Sequence, residues 1–528
     1  LIANQRSGHF AYTEFRAGLP LFLLLICSIL IAVHFLHPSN PLTVNEGIGW
    51  NGWWDQRKYL ESAAALANGD LSPDAHWYPI GYSLLAAPFV LLLPDDPFVF
   101  VNVIAFAIYG WAFFRLFQPI ISTQYVILAF LIGLSVPVLL EQPFPQTLFF
   151  WRQFAVPWTT VPVAASYLFI LYAVSKDVSD TGKFTDLFIG SAAALVVVTK
   201  PSDVLPLVPA GIAYFFRRIR SKNKWRIGFA TAGAIAVLGP ALGLTVAIHG
   251  GLNSPYVVSS GQIGLSFSQL PLRAYSMFLD SRTVWREESS LLILQPFLVV
   301  TIPLFLLWTF RYPSKSLLIA ATCIISIVEY LAYNDFTPQN AVRFQLYHYW
   351  VWMLPIWTAG AVAGAASAIR AAEQSQSLLG KLAPILVAAA GSVFLASVRI
   401  ETLELNNFSV SINEYSDGSY SYKLNSNSKK HVNLIDIFEA SALDKNSLPN
   451  SNISLYLSGF PGYPFQDYRI ISTQSGVRVI FNRPVFTESI SFTLGDKIAS
   501  LPTDPENVVP LTFQWRLSPF WRFRKQLG

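Results

Sequence analysis

Cysteine and methionine are nearly missing from this 528-residue chain, with two of each, and charged side chains make up only 13% of it. Cys27 and Cys323 both sit inside apolar runs, so no disulfide framework stabilises a domain outside the membrane, and the redox compartment stays open. The charge content is about half that of a soluble globular protein, which argues against a water-facing surface over most of the chain. No Gly-rich phosphate loop is present either, so nothing in the sequence calls for a nucleotide. The formal charge of +5 is spread over short loops instead of one face, and nucleic acid is not an expected partner.

What is present is apolar and aromatic. Hydrophobic residues make up 53%, and 15 Trp, 22 Tyr and 40 Phe suit a polytopic membrane protein with aromatic belts at both interfaces. A helix rising about 1.5 Å per residue needs roughly 20 mainly apolar residues to cross about 30 Å of hydrocarbon. Eleven runs approach this, at 19–37, 98–117, 124–141, 157–175, 185–199, 203–217, 227–249, 294–310, 315–333, 351–370 and 382–398. The fifth and sixth are short and share a break at Lys200-Pro201. The chain begins at Leu1 without Met, so a trimmed start is expected, and the run from Leu19 to Leu36 is too long for a signal peptide and reads as a retained span.

Basic residues in short loops mark the cytoplasmic side. With the N-terminus inside, the cytoplasmic stretches hold Arg6, Arg16, Arg115, Lys176, Lys183, the cluster from Arg217 to Arg226, Arg311, Lys315, Arg370 and Lys381, about twice as many as the opposite loops. An odd number of crossings then places the C-terminus outside. From residue 400 the composition turns to Ser, Asn, Asp and Tyr, with alternating runs at Tyr420 to Leu424, Ile453 to Leu457 and Val477 to Phe481. The expected architecture is an all-α membrane bundle over residues 1–399 and a small β-rich extracytoplasmic domain over 400–528. The triplets at Asn407 and Asn452 match the N-glycosylation pattern but recur by chance, and the halves of the apolar region show no inverted repeat.

The first external loop, from Val44 to Pro97, is long for a bundle connection. After Asp55, residues Tyr59, Leu60, Ala63, Ala64, Leu66 and Ala67 keep helical spacing up to Gly69, which predicts an amphipathic surface helix anchored by Trp50, Trp53 and Trp54. Asp55 falls where a carboxylate satisfies free backbone N–H groups, so an N-cap explains it as well as chemistry does. A second apolar element runs from His76 through Tyr78-Pro79-Ile80-Gly81-Tyr82 to Phe89, too short and too Pro-marked to cross.

With two surface helices between its first two spans, the chain resembles the GT-C class of membrane glycosyltransferases. Within that class it resembles the bacterial enzymes related to protein mannosyltransferases, the lipid A aminoarabinose transferase and the arabinofuranosyltransferases. The resemblance covers the topology of residues 19 to about 398 and is most specific at Asp55-Gln56-Arg57-Lys58-Tyr59, Gly69-Asp70 and Tyr78 to Tyr82. It implies Asp55 as catalytic base, a sugar donor carried on polyprenyl phosphate, and a glycan, lipid or protein acceptor. It also implies a bacterial inner (plasma) membrane, with chemistry on the periplasmic face. Gln56 stands where many relatives have Glu, and this loop has no Asp-x-Asp, so no cofactor is expected and a divalent metal lacks support.

A phosphate-linked donor needs cations at the outer ends of the spans. Lys200, Arg343, His348 and Tyr349 are the candidates for its phosphate; snorkelling of Lys200 and an aromatic belt around Tyr349 are the structural alternatives. Glu141 and Arg152 in the second external loop, with His76, Tyr78, Tyr82 and Gln56 in the first, are the candidates for substrate contact. An ion pair of Glu141 with Arg152 or Lys200 is an equal alternative. Glu329, an acid within the ninth run, is a functional candidate without an assigned role. Gly360 and Gly364 have the spacing of close helix packing. The loop from Gly250 to Ile293 has the length of a lid over the donor. A transporter or flippase is the competing class, but it would distribute charges through the span centres, whereas here they gather at one face.

Overall fold

The computed structural model describes residues 8–36, 54–135, 149–176, 182–221, 223–267, 270–279, 290–334, 336, 346–375 and 377–397, and the backbone of strands between 402 and 513. Contacts divide the chain into one unit of residues 1–270, 294–336 and 345–393, and another of 271–293, 337–344 and 394–528.

The longer helices begin with α1 (Gly8–Leu36), α2 (Trp54–Ala67), α3 (Gly81–Val90), α4 (Phe98–Phe117) and α5 (Thr123–Ser135). They continue with α6 (Phe149–Ala155), α7 (Thr160–Ser175), α8 (Lys183–Thr199), α9 (Val208–Arg220), α10 (Ile227–His249) and α11 (Pro255–Ile263). The last are α12 (Leu298–Arg311), α13 (Pro313–Ala332), α14 (Met353–Gln374) and α15 (Leu378–Ser397). Each of the eleven apolar runs overlaps a helix in its described residues. Among the described residues, three helical stretches are long and apolar enough to cross a bilayer, Gly18–Leu36, Phe98–Phe117 and Lys224–His249, and they mark an integral membrane protein. Six shorter apolar helical stretches of 10–17 residues accompany them among the described residues. The run at 203–217 is divided because Pro201 and Pro206 hold Pro201–Leu207 in a 3-10 helix, and the α-helix starts only at Val208.

Small residues set the helix crossings. A Cβ on Gly190 of α8 would meet the Ala230 carbonyl oxygen of α10 at 1.8 Å, and one on Gly233 would meet that of Leu187 at 2.0 Å. The Gly360 and Gly364 spacing brings α14 onto α12: an added Cβ would lie 2.3 Å from the Phe305 ring or 2.0 Å from the Leu304 carbonyl oxygen.

Two buried polar knots tie the bundle. Asp186 at the start of α8 is fully buried and accepts from Arg218 at 2.6 Å, Arg226 at 2.5 Å and Tyr214 at 3.1 Å. Arg218 and Arg226, counted by sequence among the loop cations, are therefore buried ion-pair partners, because α9 and the turn after it fold back over Asp186. In the other knot, His34 at the end of α1 hydrogen-bonds Asp96 through Nε2 and faces the Ala155 carbonyl through Nδ1 at 3.3 Å. Asn102 of α4 donates to the Ala155 and Val156 carbonyls, both at 3.2 Å, and accepts from Tyr82 of α3 at 2.8 Å. Thus α3 is fixed to α4 and to the end of α6.

On this base lies α2, with Tyr59, Leu60 and Ala63 packed into a cluster with Tyr78, Tyr82, Ala86 and Phe98. Gly69 ends the element at φ 73°, a left-handed conformation that glycine adopts without strain. His76 closes the loop, bonded to Ser62 Oγ at 2.8 Å and to the Asp70 carbonyl at 3.0 Å.

In the second unit, strands β1 (Thr402–Glu404), β2 (Ser409–Glu414), β3 (Tyr420–Phe438), β4 (Ile453–Leu457), β5 (Tyr468–Thr473), β6 (Gly476–Leu494) and β7 (Val508–Phe513) pair antiparallel. The sheet order is β1-β7-β3-β6-β4, with β2 on β3 and β5 on β6.

Candidate functional site

Asp55 lies within the first turn of α2, behind Trp54, and not at the cap that its sequence context suggested. Its exposed carboxylate accepts a hydrogen bond from Tyr78 Oη at 2.6 Å. Tyr78 is held in turn by stacking on Tyr59, with ring centroids 4.5 Å apart, and by Tyr256 at 4.8 Å. Burial, with Tyr59 and the Asp55 charge beside it, pushes the Tyr78 phenol far above its ordinary range, so it stays a proton donor.

Tyr256 carries the site onward into a cavity of about 380 Å³, whose lining includes Lys200, Ser202, Tyr256, Glu329, Tyr333 and Tyr349. Lys200 sits just past α8 in extended backbone, because Pro201 bars the helix from continuing through it. Its ammonium lies 3.9 Å from the Tyr349 ring centroid, 4.5 Å from that of Tyr330 and 3.7 Å from the Asp203 carboxylate. Tyr330 donates to the same Asp203 carboxylate, and Tyr167 donates to the Asp203 carbonyl at 2.5 Å. Burial draws the Lys200 pKa down, while Asp203, Glu329 and Asp55 oppose that shift. Burial above all raises the Tyr256 and Tyr349 phenols, and the Asp55 charge adds to the shift of both, so the carboxylate is within electrostatic reach of the cavity wall.

Part of the expected lid is a wall. Within the loop that starts at Gly250, α11 is regular structure: Tyr256 N–H bonds the Trp77 carbonyl at 3.1 Å, and Ser266 N–H bonds that of Ala332 at 2.7 Å. These bonds attach α11 to the segment between α2 and α3, and the residues after it to the end of α13.

The other candidates are spread more widely. His348, on the 3-10 turn Leu346–Tyr349, is buried and stacked on Trp158 at 4.2 Å and against Tyr349 at 3.9 Å, beside the cavity but not lining it. Arg152 is buried on α6, Gln56 is buried on α2, and Tyr82 and His76 belong to the internal bonds that fix the two surface helices. Arg343, Glu141, Trp50 and Trp53 lie outside the described residues. Among the described residues, no three His, Cys, Asp or Glu side chains gather as a metal site would require. Sequence reasoning gave no role to Tyr256, Tyr330, Tyr333 or Asp203. The signal available was local: Tyr330 and Tyr333 follow an acid inside an apolar run, and Asp203 follows a Lys that interrupts one.

A second cavity, of about 660 Å³, is lined almost wholly by apolar side chains of α3, α4, α7, α8 and α10, including Leu84, Ile108, Phe169 and Leu195. Gly81 and Val198 both line it, and a Cβ on Gly81 would lie 2.6 Å from the Val198 carbonyl oxygen. Val198 is two residues before Lys200.

No family model matches this chain, and no curated protein matches it. Among solved structures it is similar to ArnT from Cupriavidus metallidurans, crystallised in the apo state, at 14% identity over 71% of this chain and 70% of that one, with a TM-score of 0.40. The functional reading therefore rests on this chain's own residues.

Proposed function

We propose that the protein is a membrane glycosyltransferase of the GT-C type, moving a sugar from a polyprenyl-phosphate donor to an extracytoplasmic glycan, lipid or protein acceptor with inversion. The supporting observation is the convergence of five segments: Asp55 is held by Tyr78, Tyr78 packs on Tyr256, and Tyr256 lines the cavity that Lys200, Glu329 and Tyr349 also line. In this reading Asp55 takes the proton of an acceptor hydroxyl as that oxygen attacks the anomeric carbon. The bond from that carbon to the phosphate oxygen breaks, and polyprenyl phosphate leaves with the electron pair. An unperturbed aspartate has a pKa of about 3.9, far below a hydroxyl, so the proton moves only as the new bond forms; general-base help of this kind is worth about 100- to 10,000-fold.

Lys200 faces the developing phosphate charge, with Arg343 and His348 as further candidates from the loop before α14. The apolar cavity that Val198 helps to line suits the donor's hydrocarbon chain, since it is walled by the apolar helices and carries almost no polar group. The C-terminal sheet would position the acceptor, with the whole chain set in a bacterial inner membrane, N-terminus inside. No cofactor enters this scheme.

The test is transfer from a synthetic polyprenyl-phosphate sugar to acceptors in membranes holding the full chain, with product configuration read by NMR. Inverted product supports the reading. Donor that crosses the membrane without losing its sugar would replace it with transport.

A further inference from the structure

Glu329 is the buried group that this mechanism leaves unused. It is 9% exposed on α13 and lines the 380 Å³ cavity, and its carboxyl oxygens find no hydrogen bond of ordinary geometry among the described residues: Ser202, the hydroxyl beside it, donates to Asp203 at 3.2 Å. Lys200, a cation that acts on it from the cavity wall, is already engaged by Asp203 at 3.7 Å and by the faces of Tyr330 and Tyr349. A buried carboxyl with its hydrogen-bonding capacity unmet is costly, so the cavity calls for a ligand whose polar groups meet it. The rest of the lining narrows the choice. Tyr256, Tyr333 and Tyr349 offer aromatic surface, and the volume lies within the usual range for small-molecule sites, about 300–1,000 Å³. A sugar ring has apolar C–H faces that rest on aromatic rings and adjacent hydroxyls that a carboxylate can receive together.

We infer that the Tyr-walled cavity is a binding site for a neutral, hydroxyl-bearing sugar ring and that Glu329 is its recognition group, accepting from two ring hydroxyls. Its use in turnover, as the seat of the donor's sugar, rests on the glycosyl-transfer reading; binding itself does not.

The experiment uses the full chain in lipid nanodiscs and saturation-transfer NMR with a panel of methyl hexopyranosides and methyl pentofuranosides. At least one glycoside should bind. Glu329→Ala should weaken it about 10-fold or more, as expected for two lost hydrogen bonds, and Glu329→Gln, which keeps one acceptor oxygen, should fall between. Unchanged melting temperatures establish that the variants are folded. Equal binding by Glu329→Ala and wild type, or binding confined to amine-bearing glycosides, overturns the inference. Asp55→Asn separates the two claims: it should still bind the glycoside. Lost turnover in Asp55→Asn together with Glu329-independent binding would sink this inference alone. Unaffected turnover in Asp55→Asn with Glu329-dependent binding would instead sink the role of Asp55 and leave the sugar site standing.

Discussion

Tyr78 donates to the Asp55 carboxylate across 2.6 Å, joining a helix start to a residue 23 positions further along the loop. The bond fixes which way the carboxylate points, and Tyr59 and Tyr256 fix the phenol. Tyr78→Phe keeps the ring packing and removes only the bond. Turnover should fall about 10-fold, the scale of one hydrogen bond to a charged group, with little change in KM. Steady-state kinetics check this, and a wild-type kcat would remove Tyr78 as the group that positions Asp55.

The pH profile should carry the mark of Lys200. Its ammonium acts only while protonated, and burial lowers its pKa, so activity should fall on the alkaline side at a lower pH than an ordinary lysine would give. Asp203, Glu329 and Asp55 all favour the charged form. Asp203→Asn removes the nearest of these, lowers the pKa further, and should move the alkaline limb to still lower pH. A limb that stays in place would contradict the assignment.

Helix crossings should be sensitive at particular glycines. Gly190→Ala would press a methyl group against the Ala230 carbonyl oxygen at 1.8 Å, and relief requires the α8 and α10 backbones to part. A loss of at least about 1–3 kcal/mol is expected. Gly211→Ala, with nothing within 4 Å of the added carbon, should be neutral or stabilising. Thermal unfolding in detergent distinguishes the two.

Asp186→Ala should be among the most damaging single changes in the bundle. It would leave Arg218 and Arg226 buried without their shared carboxylate, at a cost of about 3–5 kcal/mol. The readout is the fraction of protein recovered monodisperse, which should drop sharply relative to Asp74→Ala at an exposed position.

These contacts separate what a linear reading can reach from what it cannot. The surface helix α2 was legible because Tyr59, Leu60 and Ala63 repeat at helical spacing, and Lys200 stood out because a cation interrupts an apolar run. Gly360 and Gly364 were legible as a packing face for the same reason of spacing. The match of Lys200 to Tyr330 and Tyr349 was not legible, since it depends on α8, α13 and the turn before α14 meeting in space. The stretch Pro255–Ile263 carries Ser, Gly and Gln with little periodicity, so it read as a loop. Its helix is held by backbone bonds to Trp77 and, through the residues after it, to Ala332, and no local pattern announces those. Asp186 was hidden in a similar way, because Arg218 and Arg226 look like solvated loop cations until α9 folds over it.

The most direct measurement is the rate of sugar transfer by Asp55→Asn, with the full chain in nanodiscs and a polyprenyl-phosphate sugar as donor. The account predicts a fall of about 100- to 10,000-fold with donor binding and melting temperature unchanged. Transfer at close to the wild-type rate would contradict it.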